Sequence, residues 1–192
     1  MTDEAERRRF ELLALPHLDA AYNLARWLTR SDHDAQDVVQ EASLRALRYF
    51  GGFRGDNARP WLMQIVRHAC YSWLKDNRPA EMVAFDDGDD AWQNVPAAAD
   101  DEPPAVAMRA ADRAQINKAL AALPIVFREV LVLRELEDLS YKDIAQIVDI
   151  PIGTVMSRLS RARGLMREAM DSPGRPILRT VTARPTDRGA KR

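Results

Sequence analysis

The residues best suited to chemistry lie between Thr154 and Arg163. At about 100° per residue, Val155, Leu159, Ala162, Met166 and Ala169 share one side of a helix. Ser157, Ser160 and Arg161 fall opposite, with Met156 beside them and Arg158 and Arg163 on the flanks. Short hydroxyls and arginines on the outer, N-terminal face of a helix are what reading base edges in a DNA major groove requires. Arg161 is placed to donate two hydrogen bonds to a guanine edge, whereas Arg158, Arg163 and Lys142 suit phosphates. Taken alone, the pattern fits a solvated amphipathic helix equally well. The preceding residues decide between the two. Ser140 can cap a short helix with Asp143 as its capping-box partner, and Ile144, Ala145, Ile147 and Val148 are its apolar members. Asp149-Ile150-Pro151 breaks that helix, and Gly153-Thr154 leads into the final one, which reaches about Met170. A short helix, a tight turn and a longer basic helix make a helix-turn-helix, and DNA binding is expected of it.

Two other faces carry less specific signals. Between Trp61 and Lys75, Leu62, Ile65, Val66, Ala69 and Trp73 face one way. Gln64, Arg67, Tyr71 and Lys75 face the other, with Trp61 and His68 at the edge. Cations, aromatics and an amide on one face suit single-stranded nucleic acid, where bases stack and phosphates pair. They also fit a surface helix with scattered aromatics. Asp37, Gln40, Glu41 and Leu44 form a stripe at i, i+3, i+4 and i+7, with Val38 and Ala42 expected buried to one side. That stripe is a poor face for DNA and a plausible one for a protein, though a solvated acidic face fits it as well.

Catalysis finds no support. His17, His33 and His68 are scattered, and His68 and Cys70, two apart on one helix, do not face each other. Asp86-Asp87-Gly88-Asp89-Asp90 lacks both the alternating ligand order and the distal Glu of a calcium loop. There is no phosphate-binding glycine loop and no nucleophile elbow. No enzymatic activity, catalytic residue, metal or cofactor is expected.

The elements that must position these faces are helical by pattern. Leu18, Tyr22, Ala25 and Leu28 mark one helix, which stops near Ser31. Ser31 with Asp34 opens a second, running to about Tyr49. Gly51-Gly52 ends it, the loop Phe53 to Arg59 follows, and a third helix after Asn57, with Pro60 in its first turn, ends before Pro79. Ile116, Leu120 and Leu123 mark a fourth, ended by Pro124, which suits the first turn of the next. No alternating β-branched run appears, so the fold is expected to be all-α. A chain of 192 residues is about one medium domain or two small ones. Residues 81–104 lack any period, hold eight acids and no Lys or Arg, and include Pro96, Pro103 and Pro104. They read as a flexible acidic linker between a domain at 1–80 and one at 105–171, with residues 172–192 a disordered basic tail. The whole-chain net charge of −1 hides +1 before the linker and +6 after it, an asymmetry that points to a polyanion partner. No apolar run approaches the roughly 18 residues of a membrane span, and MTDEAERRRFELL lacks the apolar core of a secretory signal. A cytoplasmic protein without membrane insertion is expected, and the single Cys70 excludes an internal disulfide.

Two segments resemble extracytoplasmic-function (ECF, group IV) sigma factors of bacterial RNA polymerase. Residues 34–79, DAQDVVQEASLRALRYFGGFRGDNARPWLMQIVRHACYSWLKDNRP, resemble sigma region 2. Residues 122–163, ALPIVFREVLVLRELEDLSYKDIAQIVDIPIGTVMSRLSRAR, resemble region 4. With the flanking helices the likeness covers about 85% of the chain. It implies an alternative sigma factor that binds core polymerase and recognises −10 and −35 promoter elements. It implies that Asp37, Gln40, Glu41 and Leu44 dock on the β′ clamp helices and that region 4 meets the β flap. It further implies that the loop and third helix open the −10 element and hold a flipped non-template base, through Phe53, Arg54, Asn57, Trp61, Gln64, Arg67, His68, Tyr71 and Lys75. The −35 duplex would be read by Tyr141, Lys142, Thr154, Met156, Ser157, Arg158, Ser160, Arg161 and Arg163. The acidic linker would run through the RNA exit path. The chain departs from the family's pattern at His68, where many relatives carry Asn, and at Met156, where many carry Arg or a polar residue.

Two other readings compete: a helix-turn-helix repressor or activator independent of polymerase, and a sigma mimic that sequesters an anti-sigma factor. The first predicts operator binding without core enzyme and the second no DNA binding. Because a linker of charge −8 cannot fix interdomain geometry, the free protein is expected to be extended or mixed. An anti-sigma factor is expected to wedge between the domains.

Overall fold

Short polar residues set the helix starts. Ser31 is extended and its Oγ accepts from the backbone N–H of Asp34, Asn57 accepts from that of Arg59, and Ser140 from that of Asp143. Each satisfies one of the amides that the first turn leaves unpaired, a contribution of about 1 kcal/mol per cap. Left-handed residues set two of the ends: Arg30 (φ 59°) and Asp149 (φ 58°) each turn the chain while donating a last backbone bond into the helix behind them.

The structure is a computed structural model that describes residues 2–78 and 104–171. Its helices are α1 (Thr2–Leu13), α2 (Leu18–Thr29), α3 (Asp32–Tyr49), α4 (Ala58–Asn77), α5 (Pro104–Ala122), α6 (Ile125–Leu131), α7 (Tyr141–Val148) and α8 (Ile152–Asp171). Short 3₁₀ turns, Leu15–His17 and Phe50–Gly52, flank α2 and α3, and a π turn, Val132–Leu136, continues α6. No strand occurs among the described residues, in keeping with the all-α expectation. Most of the expected linker, the acidic run Asp86–Asp90 and the tail lie outside them.

Sequence and structure differ at several boundaries. Helix α8 starts at Ile152, ahead of Gly153-Thr154, because the Pro151 carbonyl already accepts from Thr154 and Val155. Pro124 caps α6 from outside the helix, accepting from Phe127 and Arg128. Helix α1 has no counterpart in the sequence reading, since of its residues only Phe10 is buried, with Ala14 just beyond its end. Within α4 the wheel omitted Met63, Cys70 and Leu74, all of them fully buried.

Helices α2, α3 and α4 pack on one another around Leu24, Leu28, Val38, Leu62, Val66 and Leu74. In the C-terminal half α6 and α7 pack on α8 around Val130, Leu133, Ile144, Ile147, Val155 and Leu159. The two groups are not separate. Helix α2 packs against α6 and α4 against α7, so a single apolar cluster spans both halves. This overturns the expectation of halves held apart, and the reason is visible in α4. Its second face, which looked solvent-directed in sequence, carries the half-buried Gln64, Arg67 and Tyr71 onto the C-terminal half.

Cys70 lies on the buried side of α4. Burial, reinforced by the nearby Glu129 carboxylate, pushes its thiol up from 9.0 to about 12. The unfolded chain therefore loses this proton at lower pH than the folded one, so stability is full below the ordinary thiol range and falls as pH rises through that window. Cys70→Ala is expected to flatten the decline between about pH 8 and 10 in urea unfolding, on top of a pH-independent packing loss. Parallel declines in both proteins would show that the thiol is not coupled to folding.

Candidate nucleic-acid and polymerase interface

Three faces predicted from sequence are separated in the structure. On α3, Asp37, Gln40, Glu41 and Leu44 are all exposed, Leu44 to 62%, while Val38 and Ala42 are buried beside them. Neighbours on the same helix restrain the acids: His33 sits 3.3 Å from Asp37, and Arg45 bonds Glu41 at 2.6 Å. The face is polar, with one large apolar side chain fully available to a partner.

The loop between α3 and α4 is built on aromatics. Phe50 is buried and Phe53 stacks on it at 5.6 Å, while Trp61 lies 5.7 Å from Phe50 and 5.1 Å from Phe53. Phe10 of α1 meets Phe50 edge-on at 5.2 Å. Arg54 reaches back to the Gly51 carbonyl, and Asn57 caps α4. Exposed residues of this face include Arg54, Asn57, His68 and Lys75.

The rest of the expected −10 face is engaged by the C-terminal half. Glu129, fully buried, accepts from Arg67 Nε at 2.8 Å, from Arg67 Nη2 at 3.3 Å and from the Tyr71 hydroxyl at 3.0 Å. Arg158 of α8 lies 3.8 Å from the same carboxylate. Burial works against the Arg67 charge, but the charge of Glu129 and its hydrogen bond prevail and raise the guanidinium's pKa. Burial, with Glu129 next to it, also pushes the Tyr71 phenol upward. Glu137 repeats the arrangement: its carboxylate accepts from Asn23 and, at 3.1 Å, from Arg59, whose Nη2 also reaches the Glu137 carbonyl at 2.7 Å. Gln64 donates to the Gln146 carbonyl at 3.4 Å. The π turn sets this geometry, since Glu137 N–H bonds the Val132 carbonyl five residues back and re-aims Glu137 at α2 and α4.

The helix-turn-helix presents what the wheel foresaw. Val155, Leu159 and Ala162 are buried, while Met156, Ser157, Ser160 and Arg161 are exposed, Met156 to 54%. Thr154 is half-buried and its carbonyl accepts from Ser157. Tyr141 is half-buried with the Arg134 guanidinium 5.4 Å over its ring, and Lys142 is exposed. Two residues expected on phosphates are committed elsewhere. Arg158 turns inward to Glu129, and Arg163 bonds Glu135 at 2.7 and 3.0 Å, which with a Tyr141 hydrogen bond raises its pKa. On the far side of this half an apolar cavity of about 260 Å³ is lined by Ile116, Leu120, Leu131, Leu136 and Met166, with Glu135 and Arg163 at its edge.

Sequence reasoning missed Glu129, Glu137, Asn23 and Arg9 as organising residues. For Glu129 a signal existed: Arg128-Glu129 interrupts the otherwise apolar run Ile125–Leu133, and a charge inside such a run must find a partner. Among the described residues no cluster of His, Cys, Asp and Glu could hold a metal, and no helix is long and apolar enough to cross a membrane.

Comparison with known proteins follows the same division. Residues 13–79 match the family model for sigma-70 region 2 and residues 113–166 that for sigma-70 region 4. The chain is 36% identical over 183 residues to the RNA polymerase sigma-H factor of Pseudomonas aeruginosa, covering 91% of this chain and 90% of that protein. It is 32% identical over 180 residues to the ECF RNA polymerase sigma-E factor of Escherichia coli K12, covering 92% of each. Among solved structures, the Bartonella quintana sigma factor RpoE, crystallised with the anti-sigma factor NepR, aligns with a TM-score of 0.61 at 28% identity, over 83% of this chain and 94% of that one. CnrH, solved with the cytosolic domain of CnrY, shares the fold with a TM-score of 0.61 at 22% identity, over 86% of this chain and 89% of that one. The relatives are transcription factors and not enzymes. A helical region 2, a region 4 helix-turn-helix and full-length likeness to such proteins leave one family: the chain belongs to the extracytoplasmic-function sigma factors and is an alternative sigma factor that directs promoter-specific transcription.

Proposed function

We propose that the chain divides its task among the three faces as follows. The α3 stripe of Asp37, Gln40, Glu41 and Leu44 docks on the β′ clamp helices. The loop from Phe53 and the outer residues of α4 take the −10 element, and α8 reads the −35 duplex. Residues 1–80 and 105–171 act as the two promoter-binding domains, joined through 81–104 and followed by the tail. The observation that carries this reading is the exposure of the outer face of α8, where Ser157, Ser160 and Arg161 stand clear of every packed element. The apolar cavity beside α5 and the π turn suits the apolar face of a helix and is assigned to the β flap. The protein works in the cytoplasm, where its polymerase is.

The state described here is closed. Arg67 and Tyr71 cannot bond a phosphate or stack on a base while Glu129 holds them, and Arg59 and Gln64 are similarly engaged. Engagement of the −10 element therefore requires the halves to part. The two solved sigma factors that share this fold were each obtained with an inhibitory partner or its domain, and an anti-sigma factor is proposed here as well. Its expected place is no longer between the domains. With the halves already in contact, it holds the closed form from outside.

Three outcomes test this reading. Gln40→Ala with Glu41→Ala should weaken core binding without altering circular dichroism, and unchanged affinity would remove the α3 assignment. Arg161→Ala should cost about 1–3 kcal/mol of discrimination between cognate and scrambled −35 duplexes. Arg158→Ala, which frees no base contact, should weaken all sequences nearly alike and lower the salt slope by about one; equal, sequence-independent losses for both would discard the base contact. Glu129→Gln keeps the shape but not the charge. It should raise the radius of gyration in solution scattering and raise affinity for a single-stranded −10 oligonucleotide, because breaking a buried ion pair costs about 3–5 kcal/mol. No change in either would show that the carboxylate does not latch the halves. Run-off transcription with purified core enzyme separates the whole reading from an independent repressor and from a mimic.

A further inference from the structure

Helix α1 precedes the segment matched by the region 2 family model, which begins at residue 13, and no promoter contact has been assigned to it above. One of its side chains nevertheless reaches the loop between α3 and α4. Arg9, half-buried, donates from Nη1 to the Phe53 carbonyl at 3.1 Å and from Nη2 to the Gly55 carbonyl at 3.1 Å. Its guanidinium also lies 5.3 Å from the Phe50 ring and 5.7 Å from the Phe53 ring. The planar fork thus ties two carbonyls separated by one residue and is itself seated on aromatic faces, a combination a single ammonium cannot reproduce.

The loop needs this support. Residues 54–57 are all exposed, and their remaining contacts come from close in sequence, Arg54 to Gly51 and Asn57 to Arg59. The Phe53 ring is folded back over Gly55 so closely that a Cβ there would meet it at 3.0 Å. The turn is therefore tight and shaped from inside, while its outer edge is open. Carbonyls left without a donor would let the turn relax, since an exposed loop carries little packing of its own.

We propose that Arg9 is a positioning residue for promoter recognition: by clamping the Phe53 and Gly55 carbonyls it holds the loop in the shape that receives the flipped −10 base. This rests on the assignment of that loop to the −10 element. Arg9 touches no base. It acts through the loop backbone, so its loss should blur selectivity at one base position and leave other contacts intact.

The test uses holoenzyme, this protein with core polymerase, and single-stranded non-template oligonucleotides carrying each of the four bases at each −10 position. Arg9→Ala and Arg9→Lys are compared with Asn57→Ala in the loop itself, with core affinity and −35 duplex binding measured in parallel. The expected result is a fall of roughly five- to tenfold in preference for the best base at a single position in Arg9→Ala, the scale of one base contact. Asn57→Ala should act at the same position, Arg9→Lys should be intermediate, and core and −35 binding should be unchanged. Equal weakening of all oligonucleotides by Arg9→Ala would overturn the proposal, as a lost phosphate contact does. So would wild-type preference in Arg9→Ala while Asn57→Ala shifts it, an outcome that keeps the loop assignment. If no variant, including Asn57→Ala, moves preference at any position, the loop assignment fails and the proposal with it. Should Arg9→Ala not fold, Arg9→Lys, which keeps the charge and stem but cannot bridge both carbonyls, decides alone.

Discussion

A carboxylate removed from water must be answered by donors, and Glu129 is fully buried. It draws Arg67 and Tyr71 from α4 and Arg158 from α8 to one point. Those donors come from the faces assigned to two different promoter elements, so one acid couples them. Such a pair need not add net stability compared with apolar residues of the same volume, because desolvation offsets much of the Coulomb gain. What it supplies is register: α4 can meet the C-terminal half in one arrangement only, the one that satisfies every lone pair. Glu137 repeats the device with Asn23 and Arg59, so two anchor points fix both translation and rotation between the halves.

The faces left open in this arrangement differ from those that are covered. Asp37, Gln40, Glu41 and Leu44 on α3 and the outer residues of α8 remain exposed, while Arg67, Tyr71 and Gln64 are occupied. On the proposed assignment, docking on the clamp helices does not require the halves to separate, but melting the −10 element does. Opening exposes two buried acids and three arginine partners together. The transition should therefore be cooperative, with no half-open form in which Glu129 is stripped of some partners and still dry.

Much of this was legible in the residues. The caps at Ser31, Asn57 and Ser140, the break at Asp149-Ile150-Pro151 and the division of α8 into inner and outer faces follow from side-chain chemistry acting within four or five residues. The promoter-facing helix-turn-helix could be placed for that reason. The interdomain contact could not, because a polar helical face reads alike whether it meets solvent, DNA or a buried carboxylate 62 residues away, as Arg67 does. Arg9 was invisible for the same reason, since a clamp on a loop 44 residues distant leaves no local period. Helix α1 itself offered too few buried residues to show a face.

The π turn at Val132–Leu136 is one residue in excess of an α-helix. Were a single residue lost there, the ladder would close into ordinary i to i−4 pairing, and every side chain beyond it would swing by about 100° about the axis. Glu137 would then point away from Arg59, and the connection into α7 would leave the last turn of the helix at a different azimuth. The spacing between the buried acid Glu129 and the helix-turn-helix is thus counted in whole residues. Substitutions in this stretch can be absorbed by repacking, but a change of length by one cannot, because it alters which side of the helix faces the N-terminal half.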